Sequence, residues 1–244
     1  MKTAFLFPGQ GAQVVGMGKE IADSFPSAAN IFETADHVLG FDLSRICFEG
    51  PAEKLNTTTM SQPAIFVTSA AILEVIRNSC EKADIQPDVT AGLSLGEYTA
   101  LYAAGVIGFE DAVKLVQKRG KAMQAASDVT EGGMVGIISL DEDKVRKICE
   151  QAGKGELLEP VNFNCPGQIV VSGTTSACER AEKLATEYGA LKAVRLEVAG
   201  AFHTEMMSMA ADTLKEVLLP LDISNPSDIP VISKSKLQKL LYCL

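Results

Sequence analysis

Apolar and polar positions follow two different periods along the 244 residues, and the order in which those periods appear predicts an α/β protein. Ala4 to Phe7 is a short apolar run halted at Pro8-Gly9, the pattern of a buried first strand. Asn30 to Leu39 carries Ile31, Phe32, Ala35, Val38 and Leu39 at helical spacing and stops at Gly40. His37 falls between those inward positions and is expected at the surface. Pro63 to Lys82 reads as a longer helix, opened by proline in its first turn, with Ile65, Phe66, Ser69, Ile72, Leu73 and Ile76 inward. An extended run from Pro87 to Ala91 follows, then the helix formers Glu97 to Ala104 and a further helix over Phe109 to Ala126.

From Met134 the pattern changes. Met134 to Leu140 reads as a strand, Asp141 to Ala152 as a helix begun by an aspartate cap, and Leu157 to Asn164 and Gln168 to Ser172 as two strands joined by a turn. Thr175 to Tyr188 is the next helix, ended by Gly189, and Leu191 to Val198 the last strand. The order β-α-β-β-α-β predicts a small ferredoxin-like lobe inserted into the core. The expected domains are a core of residues 1–127 and 199–244 and a lobe of residues 128–198. A helix with Met206, Met207, Ala210, Leu214 and Val217 inward returns the chain to the core.

The candidate chemistry sits where these elements join. Gly92-Leu93-Ser94-Leu95-Gly96 stands between a strand and a helix, the context of a nucleophile elbow, in which the positions flanking the serine at two residues' distance must lack a large side chain. The Leu95 amide, at the start of the helix, can then face a developing oxyanion. The competing reading is a tight turn that merely uses two glycines. Pro8 to Gln13 matches neither a dinucleotide fingerprint nor a phosphate loop, yet it can aim backbone amides such as that of Gln10 into a crevice at the strand end. On the helix over Phe109 to Ala126, Arg119 lies within about 60° of the apolar stripe of Ala112, Val116 and Met123, whereas Lys114, Lys118 and Lys121 lie opposite. An inward guanidinium needs a carboxylate from the protein or from a ligand, unless it snorkels out. His203 is the one histidine placed to serve Ser94 as a base; its alternative is a structurally satisfied imidazole.

A hydrophobic share of 47% supplies a full core, and a net charge of −9 with no Lys/Arg cluster argues against nucleic acid and anionic membrane surfaces. The first apolar run is too short for a signal peptide or a membrane span. Cys47, Cys80, Cys149, Cys165, Cys178 and Cys243 show no paired spacing, so neither a metal site nor a disulfide framework is expected, and a reducing cytoplasm is the default.

Several stretches carry a resemblance. Phe5-Leu6-Phe7-Pro8-Gly9-Gln10-Gly11, Gly92 to Tyr98, Arg119-Gly120, Val161 to Gln168, Ala201-Phe202-His203-Thr204 and Ile229 to Ser233 together resemble the acyltransferases that include malonyl-CoA:acyl carrier protein transacylase and the acyltransferase domains of polyketide synthases. The resemblance implies an α/β-hydrolase-like core with a parallel sheet and an inserted ferredoxin-like subdomain. It implies that Ser94 is acylated, that His203 is its base, that the amides of Gln10 and Leu95 form the oxyanion hole, and that Arg119 grips the free carboxylate of a malonyl group. Leu93 stands where the family often has histidine, and Gly200-Ala201-Phe202-His203 is similar to the malonyl-selecting form of that motif, in which Phe202 restricts an α-methyl branch.

The expected function is transfer of malonyl from malonyl-CoA to the phosphopantetheine thiol of acyl carrier protein. No metal or cofactor is expected beyond the CoA thioester substrate, and the chain is expected to act as a monomer. Two rivals remain: a serine esterase or thioesterase, which would place an acidic triad member between Ser94 and His203, and a shortened, non-catalytic carrier-protein-binding protein. The second rival draws on the stretch from Lys234 to Leu244, which departs from the family pattern where a glutamine would help to hold the histidine.

Overall fold

The computed structural model describes residues 2–79, 86–221 and 229–233. Along the chain run β1 (Ala4–Phe7), α1 (Lys19–Ser24), α2 (Pro26–Leu39), α3 (Leu43–Glu49), α4 (Ala52–Leu55), α5 (Thr58–Ser79), β2 (Val89–Gly92), α6 (Gly96–Ala103) and α7 (Phe109–Asp128). They are followed by β3 (Gly132–Ile138), α8 (Glu142–Gly153), β4 (Leu158–Cys165), β5 (Gln168–Thr174), α9 (Thr175–Glu187), β6 (Lys192–Arg195), a 3-10 turn at Glu205–Met207, α10 (Ser208–Leu218) and β7 (Val231–Ile232). Two compact units result, Met1–Lys121 with Leu214–Leu244, and Ala122–Thr213.

The first unit holds a parallel sheet of order β1-β2-β7, with Phe7 level with Gly92 and Thr90 level with Val231. Parallel neighbours need long crossovers, and α1 to α5 supply the one between β1 and β2. α5 is buried on nearly every side: Ile65, Phe66, Val67 and Ala70 join Ile31, Phe32 and Ala35 of α2 and Val113, Leu115 and Val116 of α7 in one cluster. By length and composition alone α5 could cross a membrane, but its apolar residues are spent on this core, 61% of the stretch being buried.

Two helix starts differ from the sequence expectation. α2 begins at Pro26, a proline at the first helical position, so the sequence did carry that signal. α5 begins at Thr58 and takes Pro63 into its interior, not its first turn, because the packing of the buried stretch from Ser61 to Thr68 outweighs one missing N–H. Ile72 is not inward; it is 46% exposed. The expected end of this helix, Cys80 to Lys82, lies outside the described residues.

The second unit is an antiparallel sheet of order β4-β5-β3-β6. Its central strands bury both faces, which is why they read as continuous apolar runs. Val135, Ile137, Ile169 and Val171 face α8 and α9 with Val145, Ile148 and Ala181. Their alternates Met134 and Val170 join Val161, Met123, Ala126, Phe202, Met207 and Ala210. The second compact unit, Ala122–Thr213, takes in the end of α7 and the start of α10, which belong to its second hydrophobic layer. Pro160 is accommodated because β4 is an edge strand.

Asp141 caps α8, accepting from the Lys144 amide at 2.9 Å. At the start of α9, Glu156 accepts from the hydroxyls of Thr174 and Ser176 and from Arg180 Nη2. Those donors, Ser176 first, hold the Glu156 carboxyl down at about 2 from an ordinary 4.5. Its contribution to stability is thus present above the ordinary carboxylate pKa and lost as pH falls through about 2. Glu156→Gln is expected to lower the melting temperature at neutral pH, with the gap closing in acid; a gap of the same size at both pH values would contradict this account.

Candidate active site

The site starts from backbone geometry at the end of β2. Leu93 donates its amide to the Phe7 carbonyl at 3.2 Å, and the Gly96 amide reaches back to the Leu93 carbonyl at 2.9 Å, closing a sharp turn. At its apex Ser94 has φ 53°, a left-handed conformation that a non-glycine residue holds at a cost of about 1–3 kcal/mol. A Cβ on Gly92 would overlap the Gly96 carbonyl group, and one on Gly96 would overlap the carbonyl oxygen of Phe7. The two glycines are required by this crossing of backbones, so the strand-turn-helix is an elbow that presents a serine.

Gly9 approaches as closely. A Cβ there would stand 2.6 Å from the Leu93 carbonyl oxygen, so the loop carrying Gln10 lies against the elbow. Leu95, only 1% exposed, directs its amide from the N-terminal end of α6. Leu93 itself is 42% exposed beside the serine. Thr90 holds the strand to the helix that follows, donating its hydroxyl to the Ala100 carbonyl at 3.1 Å. Ser233, just past β7, donates to Glu97 Oε2 at 3.3 Å.

Arg119 is inward, as its helical phase requires, and 9% exposed, whereas Lys114, Lys118 and Lys121 are exposed. Its Nη1 donates to Gln62 Oε1 at 2.7 Å, its Nη2 donates to Ser94 Oγ at 2.9 Å, and its guanidinium carbon stands 5.4 Å from the Tyr98 ring centroid. None of these partners is a carboxylate. A guanidinium only donates, so Ser94 Oγ accepts here and its own proton stays free for a base, while the nearby positive charge favours the alkoxide. Ser94, Leu95, Leu93, Gln10 and Arg119 are thus gathered in the first unit.

His203 belongs to the second unit, where it takes φ 66° between two buried neighbours. Phe202, 4% exposed, is fixed in the layer with Met123 and Met134. Thr204 donates its hydroxyl to the Ala201 carbonyl at 2.7 Å and caps the following turn through the Met206 amide. His203 is thereby set on a rigid turn. His37, the other histidine, is exposed on α2.

Two supporting residues escaped the sequence reading. Gln62 falls at stripe spacing with Ile65, Phe66 and Ser69, and a glutamine on such a buried face was the available signal. Thr204 could have been found as a capping residue just before a helix. Among the described residues no buried cysteine is a rival nucleophile: burial pushes Cys47 and Cys149 up to about 12 and raises Cys178. Among the described residues no cluster of His, Cys, Asp and Glu is arranged to hold a metal.

The sequence profile of the acyl transferase domain matches residues 4–240. The chain belongs to the acyl transferase family. A Bacillus subtilis relative, malonyl CoA-acyl carrier protein transacylase, is 48% identical over 233 residues, covering 95% of this chain and 72% of the relative. The structure of malonyl CoA-acyl carrier protein transacylase from Coxiella burnetii superposes with a TM-score of 0.91 at 40% identity, over 95% of this chain and 72% of that one. A malonyl-transacylase solved in complex with its type II polyketide synthase acyl-carrier protein matches at 41% identity and a TM-score of 0.90, over 96% of this chain and 74% of that one. The mixed α/β architecture with a parallel sheet is that of this family. The profile match runs on through residue 240, into the stretch from Lys234 that was expected to depart from the family pattern, and residues 234–244 lie outside the described residues.

Proposed function

We propose that this chain is a malonyl-CoA:acyl carrier protein transacylase working through an acyl-enzyme on Ser94. Arg119 carries the reading: a buried cation, paired with no carboxylate among the described residues, stands 2.9 Å from the hydroxyl of a strained serine. A substrate carboxylate is the partner that such a guanidinium lacks, and malonyl supplies one on the acyl group delivered to that serine.

Ser94 Oγ attacks the thioester carbonyl of malonyl-CoA and gives its proton to His203. The amides of Gln10 and Leu95 receive the oxyanion. The carbon–sulfur bond breaks, CoA departs with the proton from His203, and malonyl remains as an ester on Ser94. The phosphopantetheine thiol of acyl carrier protein then passes its proton to His203, attacks the ester, and Ser94 recovers its proton as it leaves. The thioester is already activated, so transfer needs neither a metal nor an organic cofactor. Phe202 and Leu93 would shape the acyl pocket, Phe202 limiting bulk on the α-carbon.

An α/β-hydrolase-like core of residues 1–127 and 199–244 then carries a ferredoxin-like insert of residues 128–198, which holds β3 to β6 and lies inside the second compact unit. The β-α-β-β-α-β order and the sheet order of second, third, first and fourth strand support the subdomain. Incubation with malonyl-CoA followed by intact-mass spectrometry is expected to show one malonyl adduct that is absent in Ser94→Ala. An unmutated protein that takes no adduct overturns the activity.

A further inference from the structure

We propose that Gln62 is a positioning residue that aims Arg119 at the acyl site while leaving its charge available to substrate; this rests on the malonyl reading above. Gln62 is completely buried, and its carboxamide oxygen accepts from Arg119 Nη1 at 2.7 Å. Nη1 and Nη2 lie in one rigid plane, so fixing the first fixes the second, which then points at Ser94 Oγ. The Tyr98 ring, 5.4 Å from the guanidinium carbon, limits motion out of that plane.

Neutrality is the point of the glutamine. A glutamate of the same shape would orient Arg119 equally well, but it would neutralise the guanidinium with an internal ion pair, and an incoming malonyl carboxylate would then meet a site of no net charge. An apolar side chain would leave Nη1 without its acceptor and the plane free to turn. A neutral acceptor alone does both tasks.

The helices are built to permit this contact. Gly120, next to Arg119, lets α7 approach the start of α5 so closely that a Cβ would stand 2.9 Å from the Thr58 carbonyl oxygen. Gln62 lies one turn further along α5, which brings its carboxamide level with the guanidinium.

The test measures kcat and KM for malonyl-CoA and for acetyl-CoA in the unmutated protein, Gln62→Glu and Gln62→Met, each checked for a cooperative thermal melt. Gln62→Glu is expected to raise the malonyl-CoA KM about tenfold or more and to lower the malonyl-to-acetyl ratio of kcat/KM by a similar factor. Gln62→Met is expected to lower that ratio by a smaller factor, since its Arg119 keeps its charge but loses its aim. Both variants holding the unmutated ratio overturn the proposal, as does Gln62→Glu discriminating better than Gln62→Met. If Gln62→Glu gives no cooperative melt, the Gln62→Met ratio decides in the same sense. An unmutated protein that takes no malonyl adduct overturns the activity itself, an outcome distinct from an adduct whose selectivity ignores residue 62.

Discussion

Replacing His203 with alanine is expected to slow acylation of Ser94 by malonyl-CoA about 10⁴- to 10⁶-fold, the range set by removing the base from a serine nucleophile. The hydroxyl of Ser94 accepts from Arg119, so its proton must leave by another route, and in the proposed mechanism that route is the imidazole. Arg119 cannot substitute, because a guanidinium does not take up a proton at any working pH. The loss should fall on kcat with little change in malonyl-CoA binding, since Arg119 and the amides of Gln10 and Leu95 remain. Phe202 and Thr204 are anchored independently of the imidazole, so the melting temperature should move little. Single-turnover acylation followed by mass spectrometry separates these effects. An alanine variant that acylates within tenfold of the unmutated rate would remove His203 from the chemistry.

Gly92→Ala should produce the largest combined loss of stability and activity among the glycine substitutions. Its Cβ would stand 1.9 Å from the Gly96 carbonyl carbon, a deep overlap, and that atom belongs to backbone that cannot rotate away. Relief requires opening the elbow, which the Leu93 and Gly96 hydrogen bonds and the burial of Leu95 resist. Overpacking of this kind costs about 3 kcal/mol or more, and a displacement of about 1 Å at the serine costs roughly another 10² in rate. The urea midpoint should fall with an unchanged slope, and malonyl adduct formation should slow. Gly108→Ala serves as the control, because nothing lies within 4 Å of where its Cβ would stand. Equal midpoints for the two variants would show that the turn at Ser94 is not sterically closed.

Much of this was legible in the sequence because it depends on local steric rules. Gly92 and Gly96 state their requirement through spacing alone, since any chain that turns so sharply after a strand must omit those two side chains. The inward phase of Arg119 follows from one helix and its own period, whatever that helix packs against. The β-α-β-β-α-β order needs only short apolar runs, helical spacing and turn residues. The short helices α1, α3 and α4 went unseen because fewer than two turns give no measurable period.

Tertiary structure decided the rest, through contacts between residues far apart in sequence. The Arg119 phase said that a partner was needed but could not say that it would be the neutral Gln62, 57 residues away, with the Ser94 hydroxyl on the other nitrogen. Burial of the stretch from Ser61 to Thr68 carried α5 back to Thr58 through Pro63, against the local preference of proline. The edge of the second unit was set by which side chains fill the far layer of its sheet, a choice made by Met123, Phe202 and Met207 together and written in no single stretch of chain. A sequence fixes which residues must turn inward, because the period is a property of one element; which inward residues meet is a property of how elements pack, and only the folded chain supplies it.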